Sequence, residues 1–86
     1  MKIQGAVIKE QGVTFAIVIV KMHVLNSQFQ REETTRSLSF LFPGMPIILM
    51  AQDSRGIPKY FGRRDIVKFL ANLHISQITW KEYTFS

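Results

Sequence analysis

The sequence contains no cysteine, and this absence removes several kinds of chemistry at once. Without cysteine the chain has no disulfide framework, no thiolate nucleophile, no cysteine-based zinc site and no redox-active CxxC pair. A cytoplasmic location fits this composition, because cytoplasmic proteins rarely depend on disulfides.

Long hydrophobic runs are also absent. The longest one covers residues 13–20 and ends at Lys21, which is far short of the roughly 20 residues that a transmembrane helix needs. Near the N-terminus, Gln4 and Lys9 interrupt the apolar core that a signal peptide requires. We therefore expect a cytoplasmic protein without a membrane-spanning segment.

Runs of basic residues are lacking, although the chain is basic overall. Its 11 Lys and Arg residues outnumber 6 Asp and Glu, and the net charge of +5 favours attraction to polyanions. Charges of both signs alternate along much of the chain, however, and no run of five basic residues occurs. A nucleic acid or another polyanion is therefore a possible partner.

No linker divides the chain, because the 5 glycines and 3 prolines are scattered. Hydrophobic residues make up 47% of the sequence and charged residues 20%, which is typical of a globular protein and not of a disordered one. A chain of 86 residues holds one hydrophobic core. We expect one small domain over residues 1–86.

The first part of the chain contains two strand-like runs, Lys2–Lys9 and Val13–Leu25. Residues 10–12 join them as a short turn with glycine, which predicts an antiparallel hairpin. The second run is apolar on both alternating faces at first, as in a central strand covered on each side. Further along, Lys21 and His23 share one face, as in a strand that leaves the core.

A polar segment follows the second run. Ser27 and Gln30 have the spacing of a helix capping box, and Glu32 and Arg36 are four residues apart, as in a helical ion pair. These signals predict a helix over about 28–36. The residues that follow alternate like a strand, and a mobile polar loop is the alternative for this segment.

A second strand pair is predicted after Pro43-Gly44. Residues 46–51 form a continuously apolar run that indicates a strand buried on both faces. Residues 53–56 have turn chemistry, and residues 57–61 return as the partner strand. Pro58 cannot donate a ladder hydrogen bond, so this partner is expected at a sheet edge.

The clearest helix signal covers residues 64–73. Its apolar side is formed by Ile66, Phe69, Leu70 and Leu73. Asp65 lies in the first turn, where the helix dipole favours a negative charge. Residues 78–85 are rich in β-forming side chains and predict a final strand.

The resulting order, β-β-(α)-β-β-α-β, predicts an α/β (α+β) fold: a small mixed sheet of about five strands with one or two helices packed on it. Residues 44–73, GMPIILMAQDSRGIPKYFGRRDIVKFLANL, resemble the C-terminal half of the thioredoxin fold. In that fold, a strand opened by proline leads into a hairpin and then into a helix that returns across the sheet. The resemblance is one of pattern, and it implies no redox function because CxxC is absent.

One group of residues near this helix start is a candidate anion-binding or nucleic-acid-binding site. It consists of Lys59, Tyr60, Arg63, Arg64 and Lys68. A helix N-terminus favours anions, arginine grips phosphate in a bidentate way, and an exposed aromatic ring can stack on a base. The alternative is that these charges simply solvate the outer side of the helix.

Lys21 and His23 are pocket candidates, together with Tyr60 or Tyr83, because a histidine can act as a base near neutral pH. An enzyme built on them is a weaker alternative, since no nucleophile and orienting group can be assigned from the sequence. No cluster has the spacing of metal ligands, and the glycines do not form a phosphate-binding loop. No cofactor is predicted.

The apolar content exceeds what so short a chain can hide. We therefore expect either exposed apolar area or a homodimer, formed by edge-strand pairing or by packed sheet faces. Trp80 and Tyr83 either cover the core or form a contact patch. The leading hypothesis is a non-enzymatic binding or interaction protein that acts as a homodimer.

Overall fold

Five strands form one mixed sheet in the part of the chain that the computed structural model describes, residues 2–85. The strands are β1 (Lys2–Glu10), β2 (Val13–Ile19), β3 (Ile47–Gln52), β4 (Pro58–Phe61) and β5 (Lys81–Thr84). Their order in the sheet is β4-β3-β2-β1-β5, with β2 and β3 parallel and the other neighbours antiparallel. The predicted α+β fold with a mixed five-stranded sheet is confirmed.

Helices cover both faces of this sheet. They are α1 (Met22–Leu25), α2 (Gln28–Leu41) and α3 (Arg64–Ala71), and a 3₁₀ turn follows at Ile75–Gln77. The connection from β2 to β3 contains α1 and α2, because two parallel strands need a crossover. Among residues 2–85, no helix has both the length and the apolar character that crossing a membrane requires.

The core has two layers, one on each side of the sheet. On the α3 side it is formed by Ala6, Phe15, Ile17, Ile48, Met50, Ile66, Leu70 and Ile78. On the α2 side it is formed by Ile3, Ala16, Val18, Leu38, Phe42, Ile47 and Leu49. Successive strand residues point to opposite faces, so β2 and β3 supply both layers. Their continuous apolar runs correctly predicted strands buried on each side.

The β1–β2 hairpin turns at Gln11 and Gly12, as predicted. Both residues have positive φ, 51° and 80°, which is the conformation that a two-residue hairpin turn needs. Gly5 has a different role in β1, since a Cβ atom there would lie 2.5 Å from the carbonyl oxygen of Ile17. The close pairing of β1 with β2 therefore depends on this glycine.

The strand predicted over Val13–Leu25 ends at Ile19, and Met22–Leu25 is a short helix instead. The last hydrogen bond to β3 runs from the Val20 amide to the Met50 carbonyl, and the chain then turns away to reach α2. In α1, Val24 and Leu25 pack on the α2-side core. Lys21 and His23 are therefore not on a strand.

The helix predicted over 28–36 extends to Leu41, so the strand-like alternation near its end was misleading. Ser27 caps the helix, because its side-chain oxygen accepts a hydrogen bond from the Gln30 amide. The reciprocal half of the capping box is absent, since the Gln30 side chain lies against His23. A mobile polar loop is likewise wrong for this segment.

The ion pair expected between Glu32 and Arg36 is not formed. Glu32 accepts a hydrogen bond from the Gln28 side chain at 3.2 Å instead. Within residues 2–85, the Arg36 side chain has no ion-pair or hydrogen-bond partner. Arg36 is therefore an exposed and uncompensated cation.

The second half follows the prediction closely. β4 lies at a sheet edge and begins with Pro58. Asp53 closes the turn before β4, because its Oδ1 accepts hydrogen bonds from the amides of Arg55 and Ile57. In α3, Ile66 and Leu70 are buried. Phe69, Leu73 and Val67 pack partly buried against the same core. The helix ends at residue 71, two residues earlier than predicted.

The last strand is shorter than the predicted 78–85, because the 3₁₀ turn and residues 78–80 precede β5. β5 pairs with β1 at the edge opposite β4. Trp80 packs against the α3-side core, whereas the Tyr83 ring contacts Phe42 edge to face at 5.3 Å on the α2 side. Both aromatic residues therefore cover the core.

Candidate functional site

The predicted anion site is divided between the two sides of the sheet. In the β3–β4 register, Tyr60 lies opposite Met50 and Phe61 lies opposite Leu49. Tyr60 packs against the α3-side core, while Lys59 and Phe61 point to the α2 side. Burial raises the pKa of the Tyr60 hydroxyl above its ordinary value. The Tyr60 ring thus contributes to the core and is only partly accessible.

Arg63 is held by the carboxylate of Asp65. Its Nε donates to Oδ1 and its Nη2 donates to Oδ2, both at 2.8 Å. These hydrogen bonds raise the pKa of the Arg63 guanidinium and lower the pKa of the Asp65 carboxyl. The first turn of α3 therefore already carries the negative charge that the helix dipole favours.

Arg64 and Lys68 are the remaining cations of α3. Both are exposed, and their spacing of four residues puts them on one side of the helix. In the described part of the chain, neither side chain has an ion-pair or hydrogen-bond partner. Of the five predicted residues, the structure brings these two together as unpaired charges on one surface.

Lys21 and His23 lie at the surface where α1 begins. Both side chains are exposed, and Nδ1 of His23 is 3.0 Å from Oε1 of Gln30. Tyr60 and Tyr83, their expected neighbours, pack on the α3 side and the α2 side respectively. Over residues 2–85, no group of three or more His, Asp or Glu side chains is placed to hold a metal ion.

The most exposed aromatic side chains of the described residues lie on α2. Phe29 is 72% exposed and Phe40 is 81% exposed. At 3.6 residues per turn their separation is about three turns, so they share one side of the helix. Glu33 and Arg36 are exposed between them on the same side. These four residues form the outer face of α2.

The opposite side of α2 is firmly attached to the rest of the chain. Leu38 is buried in the α2-side core. Nη1 of Arg31 donates to the Leu25 carbonyl at 2.6 Å, and the Arg31 guanidinium lies 4.5 Å from the centre of the Phe61 ring. A cation above an aromatic ring is attracted by the ring quadrupole. These contacts fix which side of α2 points outward.

Glu33 and Arg36 give the outer face one charge of each sign. Within the described residues, neither side chain has an ion-pair or hydrogen-bond partner. The face therefore combines two uncovered aromatic rings with two uncompensated charges. This combination is suited to contact with another macromolecule, since exposed apolar groups rimmed by polar residues commonly mark interaction sites.

The faces and edges of the sheet are poorer association surfaces than the outer face of α2. Packing of two sheet faces, one of the two expected modes of dimerisation, is disfavoured because α2 and α3 already cover the central strands on both sides. At the edges, β4 has four residues and starts with Pro58, and β5 has four residues including Lys81 and Glu82. Short edge strands with proline or charge resist pairing with another chain.

The outer face of α2 was not among the predicted sites, although the sequence contains a signal for it. Phe29 and Phe40 are eleven positions apart, a multiple of the helical repeat, and the residues between them include no proline or glycine. If the helix had been predicted to extend to Leu41, both rings would have been placed on the side opposite Leu38.

No protein-family model matches this chain, and neither a curated protein nor a solved structure matches it at a significant level.

Proposed function

We propose that the protein is a small non-enzymatic interaction module that acts as a homodimer, with the outer face of α2 as its binding surface. The observation that carries the proposal is the exposure of Phe29 and Phe40 on a helix whose other side packs on the core through Leu38. Surface positions of a helix ordinarily carry polar residues. Two rings left in water on one side therefore indicate a surface that a partner covers.

Sedimentation equilibrium over a micromolar concentration range tests this proposal. We expect a concentration-dependent mixture of monomer and dimer, because a helix of 14 residues offers a small contact area and hence modest affinity. A chain that stays monomeric throughout the range contradicts the homodimer.

A nucleic-acid-binding or phosphate-binding module is the second candidate, and one observation favours it. Arg64 and Lys68 lie unpaired on one side of α3 in a chain of net charge +5. Binding to a polyanion through them should fall steeply with added salt, because counterions are released on binding. Arg63 contributes less to this surface, since Asp65 holds its guanidinium.

A filter-binding titration with single-stranded and double-stranded oligonucleotides tests this candidate. Arg64→Ala with Lys68→Ala should weaken binding strongly. Lys2→Ala with Lys81→Ala removes the same charge from β1 and β5 and should have little effect. Absence of binding at low salt, or equal losses in the two double variants, contradicts a specific site on α3.

A further inference from the structure

The four residues of the outer face are placed symmetrically about the middle of α2. Phe29 and Phe40 are equally far from the midpoint between Thr34 and Thr35. Glu33 and Arg36 are also equally far from that midpoint, with opposite charges. At 100° per residue the four outer-face side chains leave the helix within about 60° of one another.

We propose that the partner of this face is α2 of a second copy of the chain, packed antiparallel about a two-fold axis between Thr34 and Thr35. This inference rests on the proposed function and specifies how the two copies pack against each other. A two-fold interface uses the same patch on both copies, so residue i meets residue j and j meets i. Here Phe29 meets Phe40 of the second copy, and Glu33 meets Arg36 of the second copy.

Charge selects the antiparallel arrangement. With the helices antiparallel, two Glu33 and two Arg36 side chains gather near the axis as a neutral group, and a pair of rings closes each end. With the helices parallel, Glu33 faces Glu33 and Arg36 faces Arg36, and like charges in contact are destabilising. Within residues 2–85 these two side chains have no other partner to satisfy.

Charge reversal tests the contact between Glu33 and Arg36. Glu33→Arg and Arg36→Glu each make the central group like-charged, so each variant alone should dimerise about tenfold more weakly or worse. The double variant restores opposite charges and should recover wild-type affinity. An equimolar mixture of the two single variants should form a heterodimer, whereas each variant alone should dimerise only weakly.

The controls change charge equally in other places. Lys9 and Glu10 are exposed at the end of β1, and Lys9→Glu and Glu10→Arg should leave dimerisation unchanged. The losses in the single variants should also shrink at high salt, because screening weakens exposed charges. If the wild type dimerises and neither reversal alters it, or if the double variant is as weak as the singles, the antiparallel contact is refuted while the homodimer stands.

Cysteine crosslinking tests the direction, since the chain has no cysteine of its own. In the antiparallel pair, residue 29 of one copy meets residue 40 of the other, while the two copies of residue 29 are separated by about 16 Å along the helix axis alone. Oxidising a mixture of Phe29→Cys and Phe40→Cys should therefore give a disulfide-linked dimer far faster than either variant alone. The mixed pair keeps one intact ring contact at its other end.

Each result of the crosslinking experiment is decisive. Fast crosslinking only in the mixture supports the antiparallel register. Equal crosslinking in each variant alone overturns it in favour of a parallel pair. A wild type that is monomeric by sedimentation overturns both the register and the proposed function, so the two failures are distinguishable.

Discussion

Replacing Phe29 and Phe40 together with alanine removes apolar surface that folding leaves in water. Phe29 and Phe40 are 72% and 81% exposed as whole residues, so a partner can still cover most of their surface. Full burial of a phenylalanine is worth about 2 kcal/mol, and covering the four rings of a dimer therefore contributes at most about 6 kcal/mol. If half of that area is covered, the loss is about 3 kcal/mol, and the dissociation constant rises about a hundredfold.

Folding of the single chain should hardly change in this double variant. Alanine is the best helix former, and exposed substitutions usually alter the free energy of unfolding by less than about 0.5 kcal/mol each. Leu38→Ala on the opposite side of α2 is the comparison, because Leu38 is 5% exposed and its truncation should cost about 2–5 kcal/mol. The two variants thus separate association from folding within one helix.

Sedimentation equilibrium gives the dissociation constant, and urea unfolding at a concentration where the chain is monomeric gives the free energy of unfolding. Ile57→Ala is a matched control, since Ile57 is 46% exposed at the β3–β4 turn and lies far from the outer face in sequence. Dimerisation as tight without the two rings as with them would refute the reasoning. So would a double variant that is as unstable as Leu38→Ala.

Gly5→Ala should destabilise the fold by about 1–3 kcal/mol, because its Cβ would meet the Ile17 carbonyl oxygen 2.5 Å away. Thermal unfolding measures this effect, with Gln4→Ala at the neighbouring exposed position as the control. Equal unfolding midpoints for the two variants contradict the prediction. Asp65→Asn should flatten the dependence of stability on pH in acid. The pKa of Asp65 is lowered in the folded chain by Arg63, so its contribution is complete above about pH 4 and is lost as the pH falls through the lowered pKa. The free energy of unfolding, measured by urea titration at several pH values, should change less steeply with pH in the variant than in the wild type. Identical dependence on pH in the two proteins contradicts the pairing of Asp65 with Arg63.

The elements that the sequence predicted well are those with local signals. The β1–β2 turn needs positive φ at residue 12, and glycine stands there. The turn before β4 has Asp53, whose side chain closes it, and α3 has its apolar residues on one side. In each case a single stretch contains both the structural requirement and the residue that meets it, so pattern and structure agree.

The segment from residue 20 to residue 42 lacked such agreement. The inner side of α2 includes Arg31 and Thr34, and its outer side carries two phenylalanines, so the helix shows little amphipathic pattern. Arg31 is accommodated inside by its contacts with Leu25 and Phe61, which no pattern of spacing reveals. The full length of α2 is therefore set by tertiary contacts.

The predicted anion site was also changed by contacts that the sequence pattern does not reveal. The cluster from Lys59 to Lys68 is visible as a run of charge, but strand alternation sends Lys59 and Tyr60 to opposite sides of the sheet. The pairing of Arg63 with Asp65 joins a residue before the helix to one in its first turn, outside the usual three-residue or four-residue helical spacing. Charge density alone therefore overstated how many free cations this surface presents.

The features that concealed α2 are also the argument for its outer face. Phenylalanine at positions that stay 72% and 81% exposed adds little to the core of the single chain, and exposed apolar side chains make a monomer more prone to association. Glu33 and Arg36 lie unpaired between the two rings. A second copy of the helix in reverse direction accounts for both, because it covers the rings and neutralises the charges with one symmetry operation.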